Sequence, residues 1–442
     1  MESGTTAVLG AGLTGLTLGY LMNKEGYCLE VLEKEAECGG LIRSLKKDGF
    51  TFDYCGSHVI FSKDNIAQNF ILDLLGYNKL KRMRNTKVLY NNRYVKYPFE
   101  NGLANLSQQE NFECLYTFFQ TTLKKAQNKL QKPRNLQEWC YYTFGKGISE
   151  KYLIPYNEKI WKYPPSKTSL KWVDRIPNPP VADIVKSSLG IETEGYTHQL
   201  FFYYPKVDGI QALGNSLKQK IDDKITTNFE VTRVTKENEK WIISNGVEEK
   251  FYDKIVSTIP VQKFLGALDT PKEIRKAGRD LKYASLITVM LGLNTNTINN
   301  LSWLYIPDKN VMPHRVSFPS NYSPDVVPKG KSSVLAEVTC SKCDKIWRMS
   351  ESRLIEHVID DLHSLKILDK KSICFTAVKK TEFAYVINDL DYEQNITLIK
   401  NYLNALGVDL LGRFSEFAYL NMDACVRRSL DYVENHRKSG LI

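Results

Sequence analysis

Residues 5–35 read TTAVLGAGLTGLTLGYLMNKEGYCLEVLEKE. A short apolar run leads into glycines at 10, 12 and 15, apolar residues then recur at helical intervals, and a second apolar run ends in acid at Glu33. The pattern predicts strand, tight turn, amphipathic helix and strand, a βαβ unit. Gly10, Gly12 and Gly15 have GxGxxG spacing, which lets the backbone approach a pyrophosphate whose charge sits at the helix N-terminus. Glu33 follows about 20 residues on, where a carboxylate can accept hydrogen bonds from an adenosine ribose. A glycine triplet alone would serve helix packing equally well. Strand, helix, strand and acid in this order predict a dinucleotide cradle.

The whole chain of 442 residues predicts two or three domains or one composite fold. Its net charge of +10, from 60 basic and 50 acidic residues, is spread along the sequence and suits an anionic small molecule as readily as a polyanion. No zinc-finger spacing and no basic block interleaved with aromatics is present, so no nucleic-acid partner is expected. The absence of a long apolar run and of signal-peptide order predicts no membrane span and a cytoplasmic protein. Nine cysteines, an odd number, predict free thiols. Cys340 and Cys343 form the one CxxC, and with no second pair or well-spaced histidine no metal site is expected.

Residues 64–170 lose strand alternation and acquire helical spacing, whereas short strands broken by charged turns return after about residue 200. The predicted fold class is α/β: a Rossmann-type dinucleotide-binding domain, for which the resemblance given below implies FAD, an inserted helical domain and an antiparallel β-sheet substrate domain. The boundaries expected are 1–85 for the first part of the nucleotide domain, 86–195 for a mainly helical substrate-binding insertion, and 196–270 for the second nucleotide-domain part with strand pairs. A β-sheet substrate domain at 271–385 and a C-terminal nucleotide-domain part with a helix at 386–442 complete the chain.

After Glu33, Gly39 and Gly40 form a second close-approach turn, followed by Arg43. This arrangement resembles the FAD-binding start of the flavin amine oxidase and protoporphyrinogen oxidase superfamily, which favours FAD over NAD. Seven further stretches narrow the resemblance: GSHVIFS (56–62), VKYPFENGL (95–103), LIPYNEKIWKYP (153–164), WVDRIP (172–177), SWLYIPDKNVMPHRVSFPSNYSP (302–324), EFAYVINDL (382–390) and GRFSEFAYLNMDACV (412–426). In this order they resemble the UDP-galactopyranose mutases, especially the eukaryotic-type and archaeal ones.

That resemblance implies a flavin-dependent isomerase interconverting UDP-galactopyranose and UDP-galactofuranose through an N5–sugar adduct of reduced FAD, with a reductant such as NAD(P)H and no stated oligomeric state. It implies that Arg175 and Arg315 hold the substrate diphosphate, where guanidinium forks suit phosphate. Tyr305, Tyr322, Tyr385 and Tyr419 are implied to line the diphosphate and sugar, and Tyr97, Phe99, Asn157 and Trp161 the uridine. Arg413 and Asp423 fall on the FAD side, as does the Gly56-Ser57-His58 loop. For His58 itself, metal ligation, acid–base chemistry and packing against the flavin are all open, the last being favoured. The alternative is an FAD oxidoreductase of the protoporphyrinogen oxidase or amine oxidase type, which shares the cradle. Three departures stand out: Glu100 where eukaryotic-type mutases carry glutamine, one extra residue before His58, and Asp423-Ala424 in place of asparagine and glutamine.

Overall fold

Strand Thr6–Leu9, helix Leu13–Lys24 and strand Leu29–Leu32 form the βαβ unit that the opening stretch predicts. The computed structural model describes residues 4–194, 200–296 and 298–438, and the side chains of Asp174 and Arg175 lie outside that description. The two strands are central in a five-stranded parallel sheet with Lys254–Ser257, Val408–Leu410 and Ile225–Thr226. Ala7 and Leu9 pack on one face with Phe264, Ile399 and Leu403, and Val8 packs on the other with Leu16, Leu18 and Val426. Burial of both faces is why these strands read as continuous apolar runs.

A seven-stranded sheet runs in the order Ile373–Ile387, Lys282–Leu293, Ser332–Cys340, Arg315–Ser317, Trp303–Tyr305, Thr86–Tyr90 and Arg93–Lys96. All neighbours are antiparallel except Trp303–Tyr305 and Thr86–Tyr90. The architecture is mixed α/β, with this largely antiparallel sheet beside the parallel one. Both of its last two strands fall in the stretch expected to open a helical insertion at 86–195. The reason is local: Asn91 and Asn92 both adopt positive φ, 48° and 60°, and close a two-residue hairpin between Tyr90 and Arg93. Asparagine tolerates that conformation, which matches the twist of the flanking strands.

Within this stretch the α-helices follow after the hairpin: Gln108–Ala126, Leu136–Ile148, Ile154–Trp161 and Val181–Ser188. The first begins with a capping box in which Ser107 and Glu110 satisfy each other's backbone donors. The boundary expected at 195/196 falls outside the described residues. The cysteines are free thiols, and of the CxxC pair Cys340 is buried at a strand end while Cys343 is exposed.

Candidate active site

A cavity of about 800 Å3 runs from the glycine turn to the large sheet and the helical region. At the turn, a Cβ added to Gly15 would lie 1.9 Å from the Gly10 carbonyl oxygen, so this helix approaches the strand end closer than any side chain permits. Gly39 bridges Gly12, donating from its backbone N–H to the Ala11 carbonyl at 2.8 Å. Gly39 and Gly40 take φ of 120° and 54°, positions that a Cβ would strain. Glu33 accepts from the backbone N–H groups of Ala11 and Glu35 at 2.7 and 3.0 Å, fixing its carboxylate against the turn. Gly10, Gly12, Glu33, Gly39, Gly40 and Arg43 all border the cavity, whereas Gly15 supports it from behind. Arg43 lies over the Tyr54 ring at 5.3 Å and pairs with Glu37.

The next wall is the Gly56-Ser57-His58 loop. Gly56 has φ of 95°, and a Cβ there would meet the Glu337 carboxylate at 2.9 Å. Ser57 donates from its backbone N–H to Glu337 Oε1 at 3.1 Å and accepts at its carbonyl from Arg315 Nη2 at 3.3 Å. Its hydroxyl is 3.0 Å from the Tyr322 hydroxyl, which itself donates to the Ser302 carbonyl. His58 Nδ1 is 2.7 Å from the Gly56 carbonyl, so Nδ1 carries the proton and Nε2 is left as an acceptor.

Burial, reinforced by Arg315 and Arg413, lowers the His58 pKa to about 4 despite that hydrogen bond. His58 is therefore neutral at pH 7. Between about pH 4 and 6.5 the unfolded chain binds a proton that the fold refuses, so stability falls as pH drops through that window. Substituting His58→Asn is expected to remove about 2 kcal/mol of this acid sensitivity, read as the change in unfolding free energy from urea melts at pH 7 and pH 4.5. An unchanged acid slope would show that His58 is not the group responsible.

Arg315 meets Glu337 in a two-bonded fork, Nε to Oε1 and Nη2 to Oε2, each 2.7 Å. Burial works against the Arg315 charge, but the Glu337 carboxylate more than offsets it, and the pKa rises above the usual arginine range. Nη1 makes no hydrogen bond to a described residue, and the guanidinium borders the cavity. Glu337 was not among the residues expected from sequence. It is fully buried in the run SSVLAEVTC, opposite Arg315 in the sheet register, and also stands 3.4 Å from the Tyr385 hydroxyl. A single acid in an otherwise uncharged nine-residue strand is the signal that marks it.

Aromatics complete the chamber. Tyr385 and Tyr419 lie parallel at 6.3 Å, and Trp161 stands edge-on to both at 5.7 and 5.8 Å. Asn157 accepts from Trp161 Nε1 at 2.9 Å and donates to the Leu153 carbonyl, so its amide orients the tryptophan. Tyr97 packs against Tyr305 at 5.1 Å. Arg413 lies 4.0 Å over the Tyr419 ring and donates to the carbonyls of Leu420 and Ala384. Asp423 accepts from the Ser62 hydroxyl.

Tyr97, Asn157, Trp161, Tyr305, Tyr385, Tyr419, Arg413 and Asp423 border the cavity with Ser57 and His58. Phe99 and Tyr322 do not. Phe99 is fully buried and stacked on Tyr152 at 5.0 Å, and Tyr322 stands behind Ser57. Gly56 likewise serves the loop from behind, and the Arg175 side chain lies outside the described residues.

These residues fit a flavin dinucleotide: the glycine turns close around the space that a pyrophosphate would need, and the Glu33 carboxylate borders the same cavity, where a ribose hydroxyl would find an acceptor. The family model for flavin containing amine oxidoreductases matches residues 13–385. Over 99% of its length the chain is similar to a crystal structure of reduced UDP-galactopyranose mutase, with a TM-score of 0.90, 25% identity and 96% of that chain covered. Among curated proteins, it is 29% identical over 125 residues to mitochondrial protoporphyrinogen oxidase of Nicotiana tabacum, 28% of this chain and 23% of that protein. It is 33% identical over 84 residues to a 4,4'-diapophytoene desaturase of Staphylococcus aureus, 19% of this chain and 16% of the desaturase. The aligned part thus spans less than a quarter of either curated relative. Since the family model covers well over half of the sequence, the chain belongs to the flavin containing amine oxidoreductases, a family of flavin-dependent enzymes.

Proposed function

We propose that the chain is a UDP-galactopyranose mutase-like isomerase that interconverts UDP-galactopyranose and UDP-galactofuranose with FAD held in its reduced state. The observation that carries this reading is the Arg315–Glu337 fork: a permanently charged donor hydrogen-bonded to the Ser57 carbonyl of the His58 loop and opposite Tyr305 of the aromatic chamber in the sheet register. The full-length likeness to a reduced mutase supports it.

Reduced FAD supplies, when bound, a nucleophilic nitrogen for the anomeric carbon. The chain then has to hold the diphosphate as it leaves and keep it in place for return. Arg315 does this with Nη1, while Glu337 fixes the guanidinium so that little reorganisation is needed as charge develops. Arg175 is the second diphosphate arginine in this reading. Tyr305, Tyr385 and Tyr419 offer hydroxyls without adding full charge. Neutral His58 offers an acceptor beside the flavin, its ring held by the Gly56 carbonyl.

The test is to reduce the FAD-loaded protein with dithionite or NAD(P)H, add UDP-galactofuranose and follow UDP-galactopyranose by chromatography. Isomerisation by the reduced protein alone, with no stoichiometric loss of reductant, is expected. Bleaching of the oxidised flavin by an oxidisable substrate, without isomerisation of any UDP-hexose, would instead favour an oxidoreductase of the protoporphyrinogen oxidase type.

A further inference from the structure

One buried cation beside the site has no part in the scheme above and does not border the cavity. Lys159, in helix Ile154–Trp161 between Asn157 and Trp161, is 5% exposed. Its Nζ donates to three backbone carbonyls, those of Ile306 at 3.0 Å, Asp308 at 2.5 Å and Pro313 at 2.7 Å. An ammonium has three N–H groups and no lone pair, so every donor is used. The acids around it are engaged otherwise: Glu158 pairs with Lys309, the Asp308 carboxylate accepts from the Asn310 N–H, and the Asp361 carboxylate accepts from the Met312 N–H. Burial, with Lys162 beside it, lowers the Lys159 pKa to about 7 against the pull of Asp308 and Asp361, so the amine carries its charge at pH 6.

The three carbonyls belong to one loop. It joins strands Trp303–Tyr305 and Arg315–Ser317, in which Tyr305 stands opposite Arg315, and it closes with the Ile306 N–H on the His314 carbonyl at 2.9 Å. Ile306 directly follows Tyr305, and Pro313 stands two residues before Arg315. One nitrogen therefore holds both ends of the loop just beyond the residues that bring a hydroxyl and a guanidinium to the cavity. On its other side, the Lys159 carbonyl accepts from the Thr339 hydroxyl at 2.9 Å, two residues along the strand from Glu337. Lys159 thus ties the helix of Asn157 and Trp161 to the hairpin of Tyr305 and Arg315 and to the strand of Glu337.

Burying an ammonium is unfavourable, and an apolar side chain of similar volume would fill the same space at least as stably. What the ammonium adds is a fixed point, because three carbonyls have to stand within hydrogen-bond distance of one atom. We propose that Lys159 is a positioning residue for Arg315, its ammonium setting where the hairpin places the guanidinium against the substrate diphosphate. The inference rests on the nucleotide-sugar reading above.

The experiment measures kcat per bound flavin and KM for UDP-galactofuranose at pH 6, on reduced, FAD-loaded protein. Lys159→Met keeps the reach of the side chain and loses the donors. Its kcat is expected to fall about 10²-fold, the scale for a catalytic group displaced by about 1 Å, with flavin content unchanged and KM within about threefold of wild type. In an Arg315→Ala background the same substitution should change kcat by less than about twofold, because effects that pass through one group do not add. Lys159→Gln, which keeps two of the three donors, should recover part of the lost turnover, and it takes the place of Lys159→Met in this cycle if that variant does not hold FAD. Wild-type kcat in Lys159→Met, or its full loss repeated in the Arg315→Ala background, would overturn the positioning role and leave the nucleotide-sugar reading intact. A wild-type protein that isomerises no UDP-hexose would overturn both.

Discussion

Replacing Arg315 by alanine should lower turnover of the reduced, FAD-loaded protein by about 10²–10³-fold, the scale for losing one preorganised donor to transition-state charge. Flavin content should stay that of the wild type, because the hydrogen bonds of Arg315 go to Glu337 and the Ser57 carbonyl, away from the glycine turns. Lost stability is the competing explanation. Removing one member of a buried ion pair strands the other and costs about 3–5 kcal/mol. The double variant Arg315→Met, Glu337→Gln separates the two effects, since it removes both charges at once. Its melting temperature should recover most of what the single variant loses, while turnover remains low. Wild-type turnover in that double variant would end the case for a catalytic arginine.

A Gly15→Ala protein should purify without flavin. The new methyl group would sit 1.9 Å from the Gly10 carbonyl oxygen, and only a backbone shift can relieve that. Such a shift pushes the first helical turn away from the space where the pyrophosphate would meet its free N–H groups. Visible absorbance should be lost, and added FAD should no longer raise the melting temperature as a ligand of the native state does. Gly26→Ala is the control: Gly26 also has positive φ, 86°, but nothing lies within 4 Å of its added Cβ. That variant should cost about 1–2 kcal/mol in backbone strain and stay yellow. A yellow Gly15→Ala protein would mean that the turn yields without disturbing the cofactor.

The glycine cradle was legible because everything it needs is local: three glycines, one helix start and one acid within 35 residues. The Arg315–Glu337 fork was only half legible. Arg315 stood in a motif, but its partner lies 22 positions away and meets it through strand register, which a linear reading does not supply. Phe99 and Tyr322 illustrate another limit. A motif groups neighbours in sequence, yet the strand ends at Lys96 and Phe99 opens a helical turn, so the i, i+2 rule no longer holds: Tyr97 borders the cavity while Phe99 packs behind it on Tyr152. The hairpin 86–96 was hidden for a different reason. Its strands are brief, and the long helix after them dominates any periodicity taken over a wider window.

The parallel sheet also bears on how the protein is made. Thr6–Leu9 leaves the ribosome roughly 250 residues before its neighbour Lys254–Ser257, and the far edge, Val408–Leu410, follows roughly 150 after that. At about 5–20 residues per second, the opening strand waits some tens of seconds with one side unpaired. The parallel sheet is thus completed only once Val408–Leu410 has been made. Its early strand is the part of the nascent chain that a holdase chaperone would have most reason to cover.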